Sequence, residues 1–375
     1  MKSIFSCIVL LSLLTFKERP LEGRPLEERI PDHAPPGPST ENLFIITLDG
    51  FRWQEVFEGA AQSLLADEHY TPDASTISLL YGGESAEKRR ARLLPFFWTV
   101  IAKQGQLYGN RAYDNKVNVE NIYALSYPGY NEIFTGNTDI TVSSNHKTYN
   151  HNINVLEYLD SRAGFEGKVA AFTSWDVFPY IFNRDRNKIV LNSGYSQDNR
   201  REMNIEEELI RKVSDQAFAE KTATRHDQLT FLTAKEYIRK GTPRVVFLGL
   251  GETDEAAHAG RYDTYLQKAT EADRMIAELW HWVQTTPGYK NNTTFLITTD
   301  HGRGSSSDKW GSHGVFVRGS SQTWLAVLGP GIQPLGEIKA DQQLYQKQMA
   351  QTIAHLLGEV FTASQPVAKA ISLRN

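Results

Sequence analysis

Three aspartates carry the most chemistry in this sequence, because each closes an apolar run: Asp49 follows FIITL, Asp254 follows VVFLGLGET and Asp300 follows FLITT. Carboxylates at the carboxyl ends of parallel strands line one edge of a sheet, so residues far apart in the chain converge on one crevice. Like charges crowded there repel unless a cation lies between them. Histidine supplies the complementary donors: His258 four positions after Asp254, His301 directly after Asp300, and His313 a short Gly/Ser-rich loop later in GSHG. An Asp with a His four positions on presents both side chains on one face of a helical turn. Carboxylate oxygen and imidazole nitrogen suit zinc first and manganese second, and argue against copper or iron–sulfur chemistry. Taken singly, each of these residues reads as a turn, a cap or a surface side chain; the combination is far more specific. His33, His69, His146, His151, His226, His281 and His355 lack that setting.

A pair of metal sites still needs a nucleophile or an activated water. The segment 121–136, NIYALSYPGYNEIFTG, offers Ser126. A serine hydroxyl is a weak nucleophile at neutral pH, and a divalent cation beside it favours the ionised form. Ser-Tyr-Pro-Gly is also a good turn on its own account. The one cysteine, Cys7, lies in the first hydrophobic stretch, so the rest of the chain has neither a thiolate ligand nor a disulfide.

The elements that would position these residues are short continuous apolar runs, the pattern of strands buried on both faces. They begin with LFIITLD after Asn42 and recur as VAAFT (Val169–Thr173), VVFLGL (Val245–Leu250), TFLIT (294–298) and WLAVL (324–328). Segments with helical periodicity lie between them, as in 265–283, where Leu266, Ala269, Ile276, Leu279 and Val283 recur on one face. Alternation of this kind predicts an α/β fold with a mostly parallel central sheet and helices on both faces. Two polar stretches, near 51–119 and 183–241, interrupt the pattern and are expected to be insertions that cap the sheet, the second with a helix over 205–218.

The chain of 375 residues, 40% hydrophobic and with net charge −4, can bury a large core and has no bulk attraction for a nucleic-acid polymer. Residues 1–16, a lysine and then IFSCIVLLSLLTF, have the length of a signal peptide and are too short to span a bilayer. Residues 17–41 are expected to be a Pro-rich linker, and 42–375 a single folded domain that includes the two insertions. A secreted or periplasmic protein is expected, with no stable membrane span. The sequons at Asn291 and Asn292 would matter only in a glycosylating host.

The whole motif set resembles the alkaline phosphatase superfamily and, within it, the nucleotide pyrophosphatase/phosphodiesterase-like branch. The carriers are TLDGFR around Asp49, SYPGY with the later FTG, TDEAAHAGRYD, TTDHG and GSHG, in the family's order along the chain. The resemblance implies an alkaline-phosphatase-like sandwich with cap insertions. It implies one metal held by Asp254, His258 and His313, and a second held by Asp49, Asp300, His301 and the Ser126 oxygen. Ser126 would be the nucleophile, forming a phosphoseryl intermediate, and Asn145 resembles the asparagine that donates to a phosphoryl oxygen.

Two departures stand out: Gly129 replaces the asparagine after the proline, and Tyr130 replaces a histidine. No third-metal glutamate is placed, since Glu252 lies only two residues before Asp254. The Cys-x-Pro-x-Arg pattern of sulfatases is missing, and an export signal disfavours a phosphoglycerate mutase. Arg52, Lys147, Trp53, Trp175 and Trp310 flank the motifs and suit packing as well as substrate contact. The expected function is an exported, metal-dependent hydrolase of small-molecule phosphate esters, mono- or diesters, with two divalent ions. The alternative is a non-catalytic metal-containing protein that binds phosphorylated ligands.

Overall fold

A run such as Leu43-Phe44-Ile45-Ile46 can only be stable as a strand if both of its faces are covered, and in this protein they are. The computed structural model describes residues 40–195, 204–220 and 224–373; the expected leader and nearly all of the expected linker lie outside them. Eleven strands are present among the described residues: β1 (Asn42–Leu48), β2 (Gln106–Tyr108), β3 (Asn115–Asn118), β4 (Val169–Thr173), β5 (Val190–Ser193), β6 (Val245–Leu250), β7 (Thr293–Thr298), β8 (Gln322–Thr323), β9 (Leu325–Leu328), β10 (Gly336–Glu337) and β11 (Gln342–Tyr345). Eight of them make one sheet in the order β10-β2-β9-β7-β1-β6-β4-β5, and β11-β3-β8 make a small second one.

The five strands from β7 to β5 pair in parallel, whereas β9 runs antiparallel to both β7 and β2. Alternate residues of β1 feed two separate cores. Phe44, Ile46 and Leu48 join the helix Tyr262–Thr285 on one face, and Leu43 and Ile45 join the helices Ser126–Thr135 and Met349–Leu356 on the other. Each such side chain taken fully out of water contributes about 1.5–3 kcal/mol. Among the described residues no helix is long and apolar enough to cross a membrane.

The two polar stretches are more than caps. Region 51–119 also supplies β2 and β3, and region 183–241 supplies the edge strand β5. The latter also supplies the helix Asp227–Gly241, whose Phe231, Ala234 and Ile238 lie in the first core. Strands of three or four residues beside polar neighbours carry too little apolar pattern to stand out from a loop.

Candidate active site

The parallel register brings the three aspartates together. β1 lies between β6 and β7, with Thr47 opposite both Gly249 and Thr298, so Asp49, Asp254 and Asp300 leave three adjacent strands at one edge. Asp49 continues the ladder by donating its N–H to the Leu250 carbonyl. The chain then turns at Gly50 (φ +57°), whose N–H donates to Asp300 Oδ1 at 2.9 Å. Asp254 sits on the short helix Glu252–His258 that follows β6, and His258 one turn later brings its Nε2 to 3.3 Å from Asp254 Oδ2.

Two ligand-like clusters result: Asp254, His258 and His313, and Asp49, Asp300 and His301, each with its candidate donor atoms within 4.8 Å of one another. The Nε2 atoms of His258 and His313 are 3.0 Å apart, and the His301 and His313 rings stack at 3.9 Å. Nδ1 of His313 donates to the Ala124 carbonyl and Nδ1 of His301 to the Gly302 carbonyl, both at 2.9 Å. That fixes each tautomer and turns a bare Nε2 lone pair toward the centre, the arrangement of ligating histidines. Ala124 holds φ +45°, an unfavourable conformation for a residue with a Cβ, and thereby aims its carbonyl at His313.

The electrostatics of the site suit a bound cation. Burial and then the neighbouring Asp300 push Asp49 up to about 8, and burial pushes Asp300 to about 7 against the Gly50 N–H bond. Burial also lowers His258, His301 and His313, so all three are neutral donors near pH 7. Asp300 Oδ2 is buried with no hydrogen-bond partner. Crowded carboxylates, bare imidazole lone pairs and an orphaned oxygen fit a divalent metal ion.

Ser126 opens the buried ten-residue helix Ser126–Thr135. Its Oγ lies 3.2 Å from His301 Nε2 and 3.5 Å from Asp49 Oδ1, both in the second of the two clusters. The helix packs directly on the Asp300 backbone, where a Cβ at Gly129 would collide with the Asp300 carbonyl; this is the physical reason for glycine there. Tyr130, the second departure, is buried and donates its hydroxyl to Asp49 Oδ2 at 3.2 Å. A cavity of about 140 Å³ opens over the site, lined by Asp49, Ser126, Asn145, Trp175, Thr224, Gly251, Asp254, Glu255, His258 and His313. Asn145 accepts the Tyr127 N–H on its Oδ1 at 2.9 Å, which leaves its NH2 group as the end open to the cavity.

Sequence reasoning missed Arg303, two residues beyond His301. It is buried, pairs with Asp254, and donates to the carbonyls of Gly50 (3.0 Å) and Gly311 (2.6 Å), tying together loops from three motifs. Its position directly after TTDHG was the available signal. Of the flanking residues, only Trp175 faces the cavity. Arg52 pairs with Glu55 in the interior, Trp310 is buried, Trp53 donates to Gln322, and Lys147 is tied to Asp176 at 2.7 Å.

The sequence model of the type I phosphodiesterase / nucleotide pyrophosphatase family matches residues 100–370. No curated protein sequence matches. Among solved structures the chain is similar to wild-type alkaline phosphatase PafA, at 13% identity over 89% of this chain and 99% of that one, with a TM-score of 0.57. It is similar to the lipoteichoic acid synthase LtaP from Listeria monocytogenes, at 12% identity over 86% of this chain and 72% of that one, with a TM-score of 0.55. It is also similar to the phosphonate monoester hydrolase of Agrobacterium radiobacter, at 12% identity over 88% and 76%, with a TM-score of 0.51. At these identities the likeness concerns the fold.

Proposed function

The chain belongs to the type I phosphodiesterase / nucleotide pyrophosphatase family and is a phosphoric ester hydrolase, and from that premise we propose that it cleaves phosphate diesters with Ser126 as nucleophile. The observation that carries this reading is the placement of Ser126 Oγ against the Asp49 and His301 donors, at the wall of a cavity that Asp254, His258 and His313 also line. Asp254, His258 and His313 would hold one divalent ion, zinc first and manganese second, and Asp49, Asp300 and His301 with the Ser126 oxygen the other. When bound, the pair supplies positive charge that favours the ionised serine and offsets charge developing on the transferring group and the departing oxygen.

This chain's own residues do the rest. Ser126 Oγ forms a bond to phosphorus as the bond from phosphorus to the leaving alcohol breaks, and water then cleaves the phosphoseryl ester. The helix that begins at Ser126 places its positive end beside the anionic group. The free NH2 of Asn145 donates to a phosphoryl oxygen, and Trp175 offers an aromatic face to the leaving group. Preference for a diester rests on charge. The described cavity lining has no Lys or Arg and includes Glu255 besides the aspartates. A monoester brings a charge of about −1.5 to −2 at neutral pH and a diester about half as much, and beyond the two candidate cations the lining has no positive side chain to meet the monoester's second charge.

We also retain the export reading of residues 1–16, which N-terminal sequencing of the protein from the extracytoplasmic fraction would test. The main test compares metal-loaded protein on bis-nitrophenyl phosphate and on nitrophenyl phosphate, with Ser126→Ala alongside. A higher kcat/KM on the diester, lost in Ser126→Ala with metal retained, is expected; equal or greater monoester turnover would overturn the diester assignment, and undiminished activity in the variant would overturn the nucleophile.

A further inference from the structure

The helix Glu252–His258 carries two of the candidate metal ligands, yet it is only seven residues long and cannot hold its own position. A second group of titratable side chains outside the active site does so. Asp227, buried at the start of the helix Asp227–Gly241, accepts the Gly251 N–H (2.8 Å) and the Ser174 hydroxyl (2.6 Å) on Oδ1, and the Glu252 N–H (3.0 Å) on Oδ2. Glu252 answers in kind: its Oε2 accepts the Asp227 N–H at 3.0 Å, and its Oε1 meets His226 Nδ1 at 2.9 Å. Lys268, on the long helix Tyr262–Thr285, reaches Glu252 Oε2 at 3.3 Å. Every carboxylate oxygen of the pair is thus engaged by a donor, so the group holds backbone rather than an ion.

Each carboxylate lies at the amino end of the other's helix, where orphan N–H groups and the helix dipole both favour a negative charge. The link joins the second polar stretch of the chain, 183–241, to the loop that leaves β6. The Gly251 and Glu252 amides it captures lie one or two turns before Asp254 and His258, so a shift there moves both side chains relative to His313. On the reading that Asp254, His258 and His313 hold a metal ion, we propose that Asp227, clamped reciprocally with Glu252, is a positioning residue for that metal site more than for the other. The second cluster, Asp49, Asp300 and His301, makes none of the carboxylate contacts of the clamp; it rests on Gly50 and Gly302, and it meets the clamped segment through the Thr253 hydroxyl on the Asp49 carbonyl (2.6 Å) and the Asp49 N–H on the Leu250 carbonyl (2.9 Å).

The test is zinc titration of the full chain against a chromophoric chelator, with thermal unfolding measured in parallel. Wild type should take up two ions, and His258→Ala should delete the step that belongs to the Asp254 cluster. Asp227→Asn keeps the shape but turns an NH2 group toward a backbone N–H. It should weaken that same step by about ten- to a hundredfold, the scale of residues that orient metal ligands, and leave the other step within about twofold. Glu252→Gln, which keeps an acceptor for the Asp227 N–H, should weaken the same step less and serves if Asp227→Asn does not fold. An unchanged first step, or equal weakening of both, overturns the proposal; a wild type that takes up no zinc overturns the metal reading on which it rests.

Discussion

Tyr130 and Gly50 show how single residues set the ligand geometry. The Tyr130 hydroxyl holds Asp49 Oδ2 at 3.2 Å and lies 3.3 Å from the Thr47 hydroxyl, which leaves Asp49 Oδ1 to face Ser126. Tyr130→Phe should unfold earlier by roughly 1–2 kcal/mol, the scale of a hydrogen bond to a buried carboxylate. It should lower kcat by about tenfold or more, with KM nearly unchanged, in steady-state assays on a diester. At Gly50 a Cβ would lie 2.7 Å from Arg303 Nε and 3.0 Å from Asp254 Oδ1, at a φ of +57°. Gly50→Ala is therefore expected to cost at least about 1–2 kcal/mol from backbone conformation alone, and more from the clash. Denaturant midpoints and zinc uptake should both fall. Asp49, Asp254, Asp300 and the three histidines were legible because donor types and strand-end positions survive in a linear string. Arg303, Tyr130 and Gly50 were not, because their partners are carbonyls and carboxylates brought in from other strands.

Elements are held to one another by the same device of a buried carboxylate meeting backbone amides. Asp273, in the middle of the helix Tyr262–Thr285, accepts the Phe96 N–H at 2.8 Å and the Phe97 N–H at 3.0 Å, pinning the π-helical turn Phe97–Ile101 against that helix. Burial raises Asp273 from 3.8 to about 7, against the pull of those two amides. Between about pH 4 and 7 the unfolded chain has released this proton while the folded chain keeps it. Unfolding free energy from this residue therefore falls as pH rises through that window and levels off above 7. Three pH units set an upper bound of about 4 kcal/mol. Urea denaturation at pH 5 and pH 8 should show a smaller difference in Asp273→Asn than in wild type, and an equal difference would refute the assignment. No such link was visible beforehand. Four of the parallel strands, β1, β4, β6 and β7, were, since burial on both faces writes an uninterrupted apolar run, whereas the half-buried edge strand β5 was not. The antiparallel direction of β9 was not, because an apolar run looks the same in either direction. Nor were β2, β8 and β10, with two or three residues each.

Across the whole molecule, the site is where loops from three adjacent strands and the Ser126–Thr135 helix meet, so a cation there bridges segments separated by hundreds of residues. Its binding must also move protons. Without a cation, Asp49 stands at about 8 and Asp300 at about 7, so near pH 6 both carboxyls are mostly protonated, while burial lowers the three histidines from their ordinary value. A divalent ion needs the carboxylates ionised and must displace those protons. Affinity at the Asp49 cluster should therefore climb between about pH 6 and 8 and flatten above. Zinc added to chelator-treated protein in weak buffer should release up to about two protons per ion at that cluster near pH 6, and close to none near pH 9, as read by an indicator dye. The same ion should raise the unfolding temperature, by the equivalent of about 2.7 kcal/mol when free zinc is a hundredfold above Kd, provided the unfolded chain does not bind it. The gain should shrink as pH falls from 8 to 6. A gain independent of pH would mean that Asp49 and Asp300 are ionised before the metal arrives, and that the crowding of these carboxylates is relieved by some other partner.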